Sequence, residues 1–190
     1  MGPVANRYLL PLVISIALAS QVYASNSDIF LKGVSGVKTL NFLDGSIYQG
    51  QVVECMIELS KINCMHGIGV FTFKAGSKYL GKFKSNKPNG SGLFIYVDGQ
   101  SYEGNFKDGE MHGKGAMTYP DGLRYEGNYK NNKRNGYGVM VYRDSGKYEE
   151  GNRYEGYWVD DKRHGQGIMI YSNDSRGLKG EFKEDIFINN

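Results

Sequence analysis

Proline, cysteine and tryptophan are scarce in this chain, which holds 4, 2 and 1 of them among 190 residues. Two cysteines allow one intramolecular disulfide at most. Net charge is low, +3 from 23 basic and 20 acidic residues. The lysines are interspersed with acids and no RNA- or DNA-binding motif occurs, so nothing points to nucleic acid as a partner. No nucleophile elbow, P-loop or zinc-hydrolase motif is present, which leaves catalysis without a visible seat and calls for no cofactor. Gly113-Lys114-Gly115 resembles a phosphate loop superficially, but it opens a strand where a phosphate loop opens a helix. Beyond residue 24 no segment is apolar enough for a transmembrane helix.

What is present in excess is glycine, 27 residues, with 15 tyrosines. That is roughly twice the usual glycine share of about 7%, and no Gly-x-y collagen period accounts for it. The glycines instead mark a long repeat. Gly67, Gly90, Gly113, Gly136 and Gly165 are spaced by 23, 23, 23 and 29 residues, and Gly69, Gly92, Gly115, Gly138 and Gly167 keep step. A Tyr-Glu-Gly core recurs at Tyr102, Tyr125 and Tyr154, each followed at a fixed offset by Phe106, Tyr129 and Trp158. Self-similarity at this period specifies an array of stacked units.

The first 24 residues differ in composition. Arg7 precedes an apolar stretch from Tyr8 to Ala19, and Val22-Tyr23-Ala24 supplies small residues before Ser25. This is the layout of a secretory signal peptide over residues 1–24, with an uncleaved anchor as the alternative. Cleavage after Ala24 removes one base, Arg7, and lowers the formal charge from +3 to +2. Asn6 stands where a myristoylation motif needs Ser or Thr, so lipidation at Gly2 is rejected. The expected localisation is the secretory pathway, with the mature chain secreted, periplasmic or membrane-associated.

Within one unit, Tyr102, Gly104 and Phe106 alternate with Glu103, Asn105 and Lys107; Gly113, Gly115, Met117 and Tyr119 then alternate with Lys114, Ala116 and Thr118. Period two in both runs, with a polar turn from Asp108 to His112 between them, predicts a β-hairpin. Rings and glycines fall on one face, where a large ring needs a neighbour without a side chain if it is to lie flat across the next strand. Asp44-Gly45, Asp98-Gly99 and Asp121-Gly122, with Glu150-Gly151 in the same place, signal the turns that join hairpins. Gly36 with Thr39–Phe42, and Leu178, Gly180 and Phe182, read as half-units at the two ends.

Tyr102-Glu103-Gly104, Phe106, Gly109, His112-Gly113-Lys114-Gly115, Tyr119 and Asp121-Gly122 follow the pattern of the MORN (membrane occupation and recognition nexus) repeat, which this chain resembles over about residues 36 to 183. The resemblance implies an all-β fold, an elongated twisted antiparallel sheet of tandem β-hairpins. It also implies a non-enzymatic interaction module. The expected organisation is a short lead at 25–35, an array of five units with terminal half-units at 36–183, and a tail at 184–190. So little chain lies outside the array that no fused catalytic domain is expected. A six-residue insertion within Arg143 to Glu149 lengthens one connection.

An insertion of eight residues in the first unit carries Cys55 and Cys64. In an exported protein the pair predicts a disulfide across an extended hairpin; two packed thiols are the alternative. His66, His112 and His164 occupy one position of the unit, filled by Asn89 and Asn135 elsewhere. Histidines two units apart stand about 20 Å from each other at the usual strand spacing, too far to share a metal. A shared tolerance of His and Asn for left-handed backbone explains the position instead. Glu103, Glu126 and Glu155 recur in register and are expected to pair with lysines on a solvated face. Asn89-Gly90-Ser91 and Asn173-Asp174-Ser175 fit the glycosylation sequon.

Two sets of residues are candidates for binding. Tyr102, Tyr125, Tyr154 and Trp158 either line a surface for an unidentified protein partner or pack the sheet. Lys107, Lys130, Lys133, Arg134, Lys162 and Arg163, in or near the hairpin turns, either form a stripe for anionic phospholipid or a solvated rim. The half-units at both ends also offer edges for pairing into a homo-oligomer.

Overall fold

The computed structural model describes residues 31–57, 60–142, 152–172 and 174–188. Residues 1–24 with their signal-like layout, the insertion within Arg143 to Glu149, the Glu150-Gly151 turn signal and Asn173 of the second sequon lie outside these residues. In chain order the strands are β1 (Val37–Asn41), β2 (Ile47–Ile57), β3 (Ser60–Thr72), β4 (Lys78–Lys84), β5 (Lys87–Ile95), β6 (Ser101–Lys107) and β7 (Glu110–Thr118). They continue as β8 (Arg124–Lys130), β9 (Lys133–Val141), β10 (Arg153–Val159), β11 (Lys162–Tyr171), β12 (Asp174–Lys183) and β13 (Ile186–Ile188). Each strand pairs with the next in sequence, so the described residues form one open 13-stranded antiparallel sheet, as the alternation of the repeat predicts.

Two kinds of turn drive this meander. Inside a hairpin, two consecutive residues take positive φ: Ser85-Asn86, Asp108-Gly109, Asn131-Asn132, Asp160-Asp161 and Glu184-Asp185. That is the geometry whose twist matches the paired strands. Between hairpins, Asp44, Asp98 and Asp121 each accept a hydrogen bond from the backbone two residues on, at 2.9, 3.1 and 3.0 Å. The following Gly45, Gly99 and Gly122 reverse the chain.

The turn expected from Asp108 to His112 is shorter than that, because β7 begins at Glu110 and His112 lies within it. The surplus is absorbed in a bulge: Gly104 pairs with Gly115, but Phe106 pairs with Met111. At the bulge the left-handed residue is Gly113, with φ 66°, and in the other units Gly67, Gly90, Gly136 and Gly165. The histidines and asparagines preceding these glycines are not left-handed, which corrects the reading of that position.

The larger core cluster occupies one face of the sheet. Tyr48, Tyr79, Tyr102, Tyr125 and Tyr154 are 0% exposed, and each ring lies across a pair of glycines on adjacent strands. A Cβ added to Gly104 would stand 2.6 Å from both Tyr102 Oη and Gly115 Cα, so the ring and the glycine pair require each other. Each hydroxyl donates to the carbonyl three residues on, Gln51, Lys82, Asn105, Asn128 or Tyr157, at 2.6 to 3.1 Å. The bond satisfies the buried phenol and the bulged backbone at once.

Between successive tyrosines sits the ring that follows each core: Phe83, Phe106, Tyr129, Trp158 and finally Phe182. These and the tyrosines alternate in edge-to-face contact from Tyr48 to Phe182, with centroids 4.9 to 5.4 Å apart. Such pairs contribute about 0.5–1.5 kcal/mol each beyond area burial. The contacts cross from hairpin to hairpin, so units that would be marginal alone stabilise one another.

Two terminal segments do more than their sequence promised. Leu31 of the lead is buried with Val70 and Leu80, and Val34 packs beside it on the opposite face of the sheet. The tail supplies β13, which pairs with β12 and places Phe187 on Phe182. The C-terminal half-unit is therefore a short hairpin.

Candidate functional site

Tyr102, Tyr125, Tyr154 and Trp158 are packing residues. The tyrosines are 0% exposed and Trp158 is 2%, with its indole N–H donated to the Gly138 carbonyl at 3.3 Å. Their repetition reflects the ladder of rings, and none of the four is presented to a partner.

The basic candidates divide. Arg134 donates three hydrogen bonds to Asp161: its backbone N and Nε to the carboxylate at 3.0 and 3.0 Å, and Nη2 to the carbonyl at 2.8 Å. Its guanidinium lies over Trp158, 4.4 Å from the ring centroid. Arg163 holds Asp185 the same way, at 2.9, 3.1 and 2.9 Å, and faces Tyr154 and Phe182. Lys162 pairs with Glu184 at 3.3 Å. These three are committed to neighbouring residues. Lys107, Lys130 and Lys133 remain exposed on the turn edge. There Lys130 stands directly opposite Lys133, and Lys84 opposite Lys87, two like-charge pairs on one edge of the ribbon.

Arg134 and Arg163 belong to a clamp that links five of the hairpin turns, those of β4–β5, β6–β7, β8–β9, β10–β11 and β12–β13, to the unit before each. The second turn residue donates its N–H to the carbonyl of the residue two before the positive-φ glycine: Asn86 to Met65, Gly109 to Pro88, Asn132 to Met111, Asp161 to Arg134 and Asp185 to Arg163, at 2.9 to 3.1 Å. The turn side chain accepts in return from the N–H of the same residue, Met65, Met111, Arg134 or Arg163. The residue types covary along the array. Methionine meets asparagine, arginine meets aspartate, and Pro88, which has no N–H, meets Gly109, which has no side-chain acceptor.

Cys55 and Cys64 are joined by a disulfide with Cα atoms 5.9 Å apart, bracing the long β2–β3 hairpin. Asn86 ties this brace to the next unit, donating to Cys64 Sγ at 3.2 Å while accepting from the Met65 N–H at 2.7 Å. Val53, Met56 and Ile62 are exposed on the same arm. Among the described residues no group of three or more His, Cys, Asp or Glu could hold a metal ion.

The face opposite the ladder carries the residues that differ between units. Glu126 pairs with Arg124 at 3.1 Å and Glu155 with Arg153, so two of the recurring glutamates take arginine partners where lysines were expected. Tyr137 and Tyr157 face each other there, 5.7 Å between centroids and 47% and 52% exposed. Neither residue belongs to the repeating pattern, so periodicity gave no signal for them.

The geometry agrees with the comparisons to known proteins. A family model described as MORN repeat matches residues 65–78, 79–101, 102–124, 125–147 and 154–176, over half of the chain. Comparison with curated proteins gives no match.

Proposed function

We propose, from the premise that the chain belongs to the MORN repeat family, that it acts as an exported, non-enzymatic scaffold for a protein partner. Repeats of this family build interaction or membrane-binding modules. The observation that carries the reading is the division of labour in the ribbon: the rings and glycines repeated in register are consumed by packing, and a long opposite face displays unit-specific tyrosine, arginine and aliphatic side chains. Tyrosine and arginine are enriched among residues that dominate protein interfaces. Export is supported by the signal-like layout of residues 1–24 and by a disulfide, which persists in oxidising compartments.

One observation favours a second reading, binding to anionic phospholipid. Directly opposed like charges destabilise a sheet, and Lys84–Lys87 and Lys130–Lys133 stand on the same edge as Lys107. Each lysine near an anionic surface adds about 1 kcal/mol, screened within a Debye length of about 8 Å at physiological salt.

Cross-linking in the native host with a tagged full-length chain separates the two. The scaffold reading expects one protein at stoichiometric yield from the soluble or membrane fraction. Recovery of lipid-rich membrane alone, released by salt, replaces it with the lipid reading. Recovery of neither contradicts both.

A further inference from the structure

The face opposite the aromatic ladder contains two apolar stations. Over β3–β5 it is formed by Val70 and Leu80, flanked by Ile68 and Ile95, and is covered by Leu31 and Val34. Over β9–β11 it is formed by Val139, Val141, Ile168 and Ile170, beside the exposed pair Tyr137 and Tyr157. Among the described residues nothing covers this second station. It begins four strands, roughly 19 Å, beyond the first.

The pairing register fixes the pattern of the second station. Two rows cross the strands at right angles. One runs Glu126, Val139, Glu155, Ile168, and the other Arg124, Val141, Arg153, Ile170. Charged and apolar strands therefore alternate, and every charged strand carries one base and one acid at positions i and i+2. The arrangement has no net charge and is self-complementary. A two-fold axis lying along the ribbon between the rows brings each arginine opposite the glutamate of an identical face, and each valine or isoleucine opposite another. A second observation points the same way: Arg153 Nε is buried and has no hydrogen-bond partner, because the ion pair to Glu155 uses Nη2. A second carboxylate beside that guanidinium would saturate it after a side-chain rotation.

We propose that the β8–β11 face is an isologous interface between two copies of this chain, closed as a two-layer sandwich in which Arg153 and Glu155 of each copy pair with their counterparts across the axis. Packing of two sheets face to face at about 10 Å is the usual way a sheet buries its second apolar face. The patch is smaller than a standard interface, so the dimer is weak and reversible.

Sedimentation equilibrium of the folded chain over a wide concentration range tests this. The unaltered chain is expected to pass from monomer to dimer. Arg153→Glu and Glu155→Arg, each alone, place four like charges in the contact and are expected to weaken association at least about tenfold, the equivalent of 1.4 kcal/mol. An equimolar mixture of the two variants is expected to associate again, because each then faces its complement. Val139→Lys, with circular dichroism to confirm the fold, is expected to abolish the dimer, and Ile186→Lys on the edge strand to leave it. A monomer at every concentration overturns the proposal. So does a dimer lost with Ile186→Lys but kept with Val139→Lys, which would assign association to the sheet edge, or a mixture no better than its components.

Discussion

The two faces of the ribbon share one backbone ladder but differ in what recurs on them. On the aromatic face the same tyrosine, glycine pair and following ring return in unit after unit, and each return closes a contact with the next. On the opposite face the matching positions hold Leu80, Glu103, Glu126 and Glu155 on the first strands of units and Leu93, Ala116, Val139 and Ile168 on the second. A residue that every unit needs is one the sheet needs. What a particular surface presents is found where units disagree, which is why the tyrosines most visible in the sequence are unavailable to a partner and the less conspicuous Tyr137 and Tyr157 are exposed.

Raising the pH breaks the comparison most completely. Burial pushes the Tyr48 and Tyr154 hydroxyls up to about 12 and raises Tyr79, Tyr102, Tyr125 and Tyr129. Since the unfolded value is about 10, the stabilisation from keeping these phenols neutral is fully present below pH 10 and is lost as pH rises through about 12. Phenolate absorbance and circular dichroism are expected to change together in that window; titration of all tyrosines with the sheet intact would contradict their burial.

Truncation gives the next largest contrast. Tyr125→Ala removes a ring in contact with Tyr129 and Trp158 and is expected to cost about 4 kcal/mol in denaturant unfolding, against about 0.5 kcal/mol or less for Tyr157→Ala. Adding a single methyl by Gly104→Ala is expected to cost about 2 kcal/mol, since Tyr102 and the facing strand must move. An equal cost for Ser101→Ala on the other face would remove the asymmetry.

The clamp sharpens the comparison within the conserved geometry. Arg134→Met removes the two guanidinium hydrogen bonds to Asp161 and the contact over Trp158 while the backbone N–H keeps its bond to the carboxylate, an expected loss of about 1 kcal/mol. Adding Asp161→Asn recreates the Met111–Asn132 pairing and is expected to recover at least half of it in a double-mutant cycle. Additive losses would show that the two residues act independently.

Much of the fold was legible because both of its periods are in the sequence. Alternation gave the strands, Asp-Gly pairs gave the connections, and the spacing of Gly67 to Gly165 gave the order. The bulge was not, because it depends on two strands slipping against each other between Gly104 and Phe106, which neither strand shows alone. Arg134 and Arg163 looked like free turn charges for a similar reason: their aspartates lie 27 and 22 residues later, on the turn of the next unit. The cover over Leu80 was hidden because Leu31 and Val34 have no periodicity.

Reagent accessibility of the tyrosines, read peptide by peptide by mass spectrometry on dilute folded protein, tests most directly the claim that repeated residues build the sheet and unit-specific ones face outward. Modification confined to exposed positions such as Tyr137 and Tyr157, with Tyr48, Tyr79, Tyr102, Tyr125 and Tyr154 protected until the chain unfolds, is the expected result. Equal reactivity of the five recurring tyrosines in the folded protein would contradict it.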